Sequence, residues 1–255
     1  LNVPSYTTTT ASLKDSVTGL VWQRTPDPTK KTQAAATTYC DDLELGGQTD
    51  WRLPTRIEYV SVLDLGMGSG YAMPADILLE TTGPQWTASA TGSTTGQFFF
   101  IDDKNGTWTL GEESTELGAR CVRGTAFTGS LQVETDVVTD TMTQLVWQVT
   151  GLAPALRTWE QALDDCESST YANQSDWRLP NIKELATLVD EAATVPPAIR
   201  VELGTDAAPH YWSSTPSPGF GGERYAQALE TSVGISTSFK MTDSAAAVRC
   251  VRSQP

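Results

Sequence analysis

The sequence predicts two tandem α+β domains, each with two helices and a small, mainly antiparallel sheet. A length of 255 residues exceeds one ordinary domain and leaves room for two. The pattern of the chain occurs twice, and in each copy two capped helical stretches precede several short strand signals.

"DSVTGLVWQ" at Asp15–Gln23 returns as "DTMTQLVWQ" at Asp140–Gln148, 125 residues on. Cys40 maps to Cys166, Asp50 to Asp176 and Trp86 of "WTAS" to Trp212 of "WSST", each 126 residues on, while "RCVR" at Arg120 recurs at Arg249 with a shift of 129. A shift that grows so little means two copies of one domain, with small insertions near the end of the second. The junction falls near Gly124–Thr128, which gives domains 1–126 and 127–255.

Each copy opens with two strands around the "DxxTxLVWQ" turn, because the acid and threonine favour a turn and the apolar "LVW" favours extended chain. A first helix follows. Thr158 caps it in the second copy and Gln161, three residues on, completes a capping box; in the first copy Thr32 precedes an alanine-rich run. After "DWRLP", at Asp50–Pro54 and Asp176–Pro180, comes a second helix. Thr55 and Asn181 cap it, Glu58 and Glu184 close the boxes, and Ile57, Val60, Leu63 or Ile182, Leu185, Leu188, Val189 follow helical spacing. The last third is strand and loop, with a hairpin signal at Asn105-Gly106 and a short closing strand at "RCVR".

The four cysteines are widely spaced and contain no CxxC pair, which argues against a zinc or thioredoxin-type site. Pairing Cys40 with Cys121 and Cys166 with Cys250 would tie the first helix to the last strand inside each copy. Disulfides imply an oxidising compartment, so the expected location is extracellular, periplasmic or at the cell surface. The chain starts at Leu1 with no signal peptide in view, as a mature or trimmed chain would, so export is inferred from the cysteines.

With 31 acids against 17 bases, the net charge of −14 excludes nucleic acid as the first-choice partner. No stretch approaches the roughly 18 apolar residues of a membrane helix, so membrane insertion is not expected. Oligomeric state is not legible.

Catalytic signals are weak. The single histidine, His210, reads better as a hydrogen-bonded residue than as a base, and no nucleophile elbow, P-loop or dinucleotide motif occurs. Adjacent acids such as Asp41-Asp42 point apart on a strand, which disfavours a glycosidase pair. "DDKNG" at Asp102–Gly106 is oxygen-rich but lacks the later bidentate glutamate of a calcium loop, so it reads as a turn. No cofactor or metal is expected, and calcium has no motif to support it.

Comparing the copies sorts the residues. Trp22/Trp147, Trp51/Trp177, Arg52/Arg178, Trp86/Trp212 and Arg120/Arg249 are identical in both, and read as core and buried ion pairs. On this reading "DWRLP" is scaffold, its arginine and aspartate holding the loop before the second helix. Between "WTAS" or "WSST" and "RCVR" the copies diverge. Phe98, Phe100, Asp102, Asn105 and Trp108 in the first, and His210, Tyr211, Phe220, Arg224 and Tyr225 in the second, are the candidate ligand-binding residues, since aromatics beside short polar groups suit sugar or protein recognition.

The order "TGLVWQ", "YC", "GGQTDWRLPTRIEYVSVLD", "WTAS", "RCVR", repeated in the second copy, resembles the DUF1566, or Lcl C-terminal, domain family over nearly all of both repeats. The resemblance implies C-type-lectin-like folds with a disulfide from first helix to last strand, in a bacterial surface or secreted binding module. Some members of the family act in adhesion to glycosaminoglycans. The net charge of −14 opposes that ligand here, and the Glu-Pro-Asn or Gln-Pro-Asp triplets of calcium-dependent lectins are absent. The expected function is a non-enzymatic, adhesin-like protein that recognises a glycan or a surface protein. The alternatives are a carbohydrate-active enzyme with a carboxylate pair, or a structural subunit of a surface fibre.

Overall fold

The computed structural model describes residues 5–65, 83–149, 152–203, 208–217 and 221–254. The chain divides into two compact units, Leu1–Ala126 and Phe127–Pro255. The first runs β1 (Tyr6–Thr8), β2 (Ser12–Asp15), β3 (Val21–Gln23), β4 (Asp27–Lys31), α1 (Gln33–Asp41), α2 (Arg56–Val62), β5 (Pro84–Ala90), β6 (Gln97–Asp102), β7 (Thr107–Glu112), β8 (Leu117–Ala119) and β9 (Val122–Arg123). The second runs β10 (Leu131–Val133), β11 (Val137–Asp140), β12 (Leu145–Gln148), β13 (Leu152–Arg157), α3 (Trp159–Glu167), α4 (Ile182–Ala186), β14 (His210–Ser217), β15 (Tyr225–Glu230), β16 (Ile235–Lys240), β17 (Ala246–Val248) and β18 (Val251–Ser253). Two single-turn 3-10 helices, Tyr171–Asn173 and Val201–Leu203, flank α4.

Each unit holds two sheets. The orders β1-β2-β3-β9 and β4-β8-β5-β6-β7 in the first recur as β10-β11-β12-β18 and β13-β17-β14-β15-β16 in the second. All pairs are antiparallel except β5 with β8 and β14 with β17.

The expected pair of α+β, C-type-lectin-like domains is therefore not what the chain forms: strand takes 38% and helix 16% of it, spread over four small sheets. The helices have nine, seven, nine and five residues. Their caps are strong local signals, whereas the three-residue strands β1, β3, β8, β10, β17 and β18 are too short to display a two-residue alternation. Capping drew attention to the minority element.

In each five-stranded sheet the two faces carry different cores. On one, Ala36 and Cys40 of α1 pack with Trp86, Leu117 and Ala119, and Ala162 and Cys166 of α3 pack with Trp212, Ala226 and Ala228. On the other, the Arg56 amide of α2 donates to Ser89 Oγ at 2.9 Å and the Ile182 amide of α4 to Thr215 Oγ1 at 3.0 Å. Thr55, Thr158 and Asn181 make complete capping boxes; Thr32 caps α1 alone.

The disulfides Cys40–Cys121 and Cys166–Cys250 are formed, with Cα atoms 5.4 and 5.5 Å apart. Each closes a loop of 81 or 84 residues, which in the chain-entropy account stabilises a unit by about 4 kcal/mol.

The "DWRLP" segments explain their own repetition. The Arg52 amide donates to the Val122 carbonyl at 2.8 Å and the Val122 amide donates back to the Arg52 carbonyl at 2.9 Å; Arg178 and Val251 do the same at 2.9 and 3.0 Å. Each arginine then clamps the glutamate of the following capping box with two hydrogen bonds, Arg52 on Glu58 at 2.7 and 2.6 Å, Arg178 on Glu184 at 2.8 and 2.6 Å. The aspartates bind other arginines: Asp50 with Arg123 at 2.6 Å and Asp176 with Arg252 at 2.7 Å. These partners hold both aspartates below the usual carboxylate range. Trp51 and Trp177 are buried and donate to the carbonyls of Leu45 and Tyr171.

Candidate ligand-binding cleft

The aromatics of the first copy are mostly scaffold. Phe98 and Phe100 are half-buried and pack on the α1 core, with Trp86 edge-on to Phe100. A Cβ on Gly111 would sit 3.1 Å from the Phe100 ring, which is why glycine faces it. Trp108 is fully buried on the opposite face, so it belongs to the core and cannot present its ring to a ligand.

Asp102 and Asn105 spend their polar atoms on their own hairpin: Asp102 accepts from the Lys104 amide at 3.0 Å and from Asn105 Nδ2 at 2.7 Å. Gly106 adopts a φ of 67° there, which a side chain would strain. Among the described residues no group of three His, Cys, Asp or Glu side chains converges as a metal site.

In the second copy Tyr211 is buried and its hydroxyl accepts from Arg249 at 3.3 Å, which also places it in the core. His210 lies edge-on to Phe239 with centroids 4.9 Å apart, and burial depresses its pKa. Tyr225 opens β15, half-buried opposite Lys240. Phe220 lies outside the described residues. Of the described candidates in this copy, Arg224 is the one that faces solvent: its side chain is 74% exposed.

Arg224 lines a cleft of about 350 Å3 in the second unit. Thr158 and Glu160 enter it from the start of α3, Glu223 and Arg224 from the loop before β15, and Met241 and Thr242 from the chain after β16. The floor is Met241, 8% exposed, whose carbonyl accepts the Trp159 amide at 3.0 Å and whose amide donates to Arg224 at 3.0 Å. Two charge pairs border the opening, Arg224 with Glu160 and Lys240 with Glu223, each at 3.6 Å.

The first unit keeps the backbone and loses the chemistry. Gln33 donates to Glu113 at 3.0 Å and Glu113 to Gly96 at 2.8 Å, the same two bonds. These bonds align Glu160 with Ala34, Arg224 with Gly96 and Met241 with Glu113. Glu160, Glu223 and Met241 were missing from the sequence candidates, although Ala34 and Gly96 at the aligned positions carried the signal.

The first unit has an interior charge instead. Asp103 is fully buried, one carboxylate oxygen accepting the Gly83 amide at 3.0 Å and the other without a hydrogen-bond partner among the described residues. Burial pushes its pKa up to about 6. Arg56, also buried, lies over Phe99 at 5.4 Å and Trp108 at 5.9 Å, so α2 turns Arg56 inward where helical spacing pointed to Ile57. At the equivalent of Asp103 the second unit has Thr231, whose hydroxyl donates to the Ala208 carbonyl at 2.7 Å.

Two disulfide-tied, mostly β units of one pattern, one of them with a charged cleft, define a duplicated module. The Lcl C-terminal domain family matches residues 11–123 and again 136–252, and the chain belongs to that family. No curated protein matches the sequence.

Proposed function

We propose that the protein is an exported, non-enzymatic binding protein that recognises a glycan through the cleft of its second unit. The observation that carries this is the cleft itself, formed largely by the segment between "WSST" and "RCVR" in which the copies diverge. A volume of about 350 Å3 falls at the small end of the range for sites that hold small molecules. Two threonine hydroxyls, two carboxylates and a guanidinium beside a methionine floor supply both hydrogen-bonding directions and an apolar wall, as a sugar ring requires.

Binding is favoured over hydrolysis by exposure. A glycosidase needs one carboxyl held in an apolar setting as an acid, whereas the Glu160 and Glu223 side chains are 74% and 53% exposed. The two disulfides are compatible with export. Among the described residues no helix is long and apolar enough to cross a membrane.

A glycan array probed with the full chain, with and without calcium, tests the reading. Retention on a defined subset of sugars, lost in Arg224→Ala, is the expected result; an array with no retained sugar overturns it.

A further inference from the structure

The ion pairs divide into two kinds. Those of the scaffold are tight: Arg52–Glu58, Arg178–Glu184, Arg123–Asp50, Arg252–Asp176, Arg157–Asp165 and Lys31–Asp27 all lie between 2.6 and 2.9 Å. Arg224–Glu160 and Lys240–Glu223 are open at 3.6 Å, beyond direct hydrogen-bond length. Among these eight pairs these two are the loose ones, and Glu160, Glu223 and Arg224 all line the cleft.

In the first unit the same four places hold Ala34, Thr95, Gly96 and Glu112, aligned by the paired strands β6–β7 and β15–β16. The second unit thus carries an alternating set of two anions and two cations where its duplicate carries one acid. Such a set is neutral, and each member already faces an opposite charge that a ligand could replace.

Resting on the glycan reading above, we propose that the cleft selects a sugar bearing both a cationic and an anionic group. An ammonium on the ligand takes the place of Arg224 or Lys240 beside a glutamate, and a carboxylate takes the place of a glutamate beside the guanidinium, so each charge lost is regained. A ligand with one charge would displace one protein group and leave it without its opposite charge. A zwitterion also meets no net force from the overall charge of −14, which repels simple anions.

The test is a titration of the labelled full chain, read by the backbone amide shifts of residues 158–160, 222–224 and 241–242. Four pyranoses serve as probes: muramic acid, which carries an amine and a carboxylate, glucosamine, glucuronic acid and glucose. Alanine carries both charges without the ring. Muramic acid is expected to bind at least about tenfold more tightly than the other four, with the advantage lost in Glu160→Gln and in Arg224→Ala. Both side chains are solvent-exposed, and unchanged amide spectra of the free variants show that they fold. Equal binding of all four sugars overturns the charge selection and leaves the sugar site standing. Alanine binding as tightly as muramic acid overturns the sugar as carrier of the charges. No shift with any probe overturns the inference, and the glycan array then decides separately whether the sugar reading survives.

Discussion

Arg120 and Arg249 hold the same place in the two copies and clamp the same two carbonyls, whereas Gly96 and Arg224 hold the same place and share only a backbone contact. Arg120 donates to the carbonyls of Gln23 and Arg24; Arg249 donates to those of Gln148 and Val149 and also to that of Leu203. The duplicated chain has kept the arginine pair Arg120 and Arg249, its clamped glutamates and its disulfides, and has changed its loop charges. The difference teaches that identity between copies marks what the fold needs, and divergence at matched backbone positions marks where a copy can acquire its own ligand.

The largest expected effect is at the buried arginines. Arg120→Ala strands the carbonyls of Gln23 and Arg24 and leaves a cavity, at a cost of about 3 to 5 kcal/mol. Arg249→Ala, which strands the carbonyls of Gln148, Val149 and Leu203, should cost a similar amount. Denaturant unfolding of each variant measures both losses.

Next come the clamped glutamates, where the copies should separate. Arg52→Ala leaves Glu58, whose side chain has no exposure, charged and without its clamp; Glu184 keeps 12% and Arg178 38% exposure. Arg52→Ala is expected to cost about 3 kcal/mol and Arg178→Ala about half that, both by unfolding and neither by selective loss of binding. Equal losses would show that burial of the glutamate does not set the cost.

Acid should move the units in opposite directions. Asp103 has a folded pKa of about 6 against 3.8, so the folded first unit binds its proton more tightly than the unfolded chain does. Asp103 therefore contributes stability to that unit that grows as pH falls from 7 to about 4, by at most about 3 kcal/mol, while the lowered pKa of Asp50 acts the other way only near the lower end of that range. Asp103→Asn should abolish the gain. His210 has a lowered folded pKa, so the second unit loses stability as pH falls below 6.5. Hydrogen exchange of amides in each unit at pH 7 and pH 5 separates the two responses.

The smallest stability effect belongs to the cleft. Glu160→Gln and Arg224→Ala should change stability by no more than about 0.5 kcal/mol.

Much of the scaffold was legible because its signals are local or duplicated. Thr55, Glu58, Thr158 and Gln161 announce helix starts by spacing alone, and four cysteines with repeat mates leave a natural pairing. The partner of Arg52 was hidden, since Glu58 lies six residues on and reaches it only after the chain turns through Pro54. Trp108 and Tyr211 were misread as surface because a strand aromatic does not disclose which face its sheet buries. The mostly β class was hidden in strands of three residues. Arg224 stood out as a charge in a divergent loop, while Glu160 sat unnoticed inside a helix signal and Met241 carried no signal of its own.

Arg224→Ala tests the central claim most directly, with glycan-array retention and melting temperature measured on the same preparation. The account predicts that retention is lost while the melting temperature stays where it was. Retention that survives in Arg224→Ala, and disappears only in a variant that melts early such as Arg52→Ala, would contradict it.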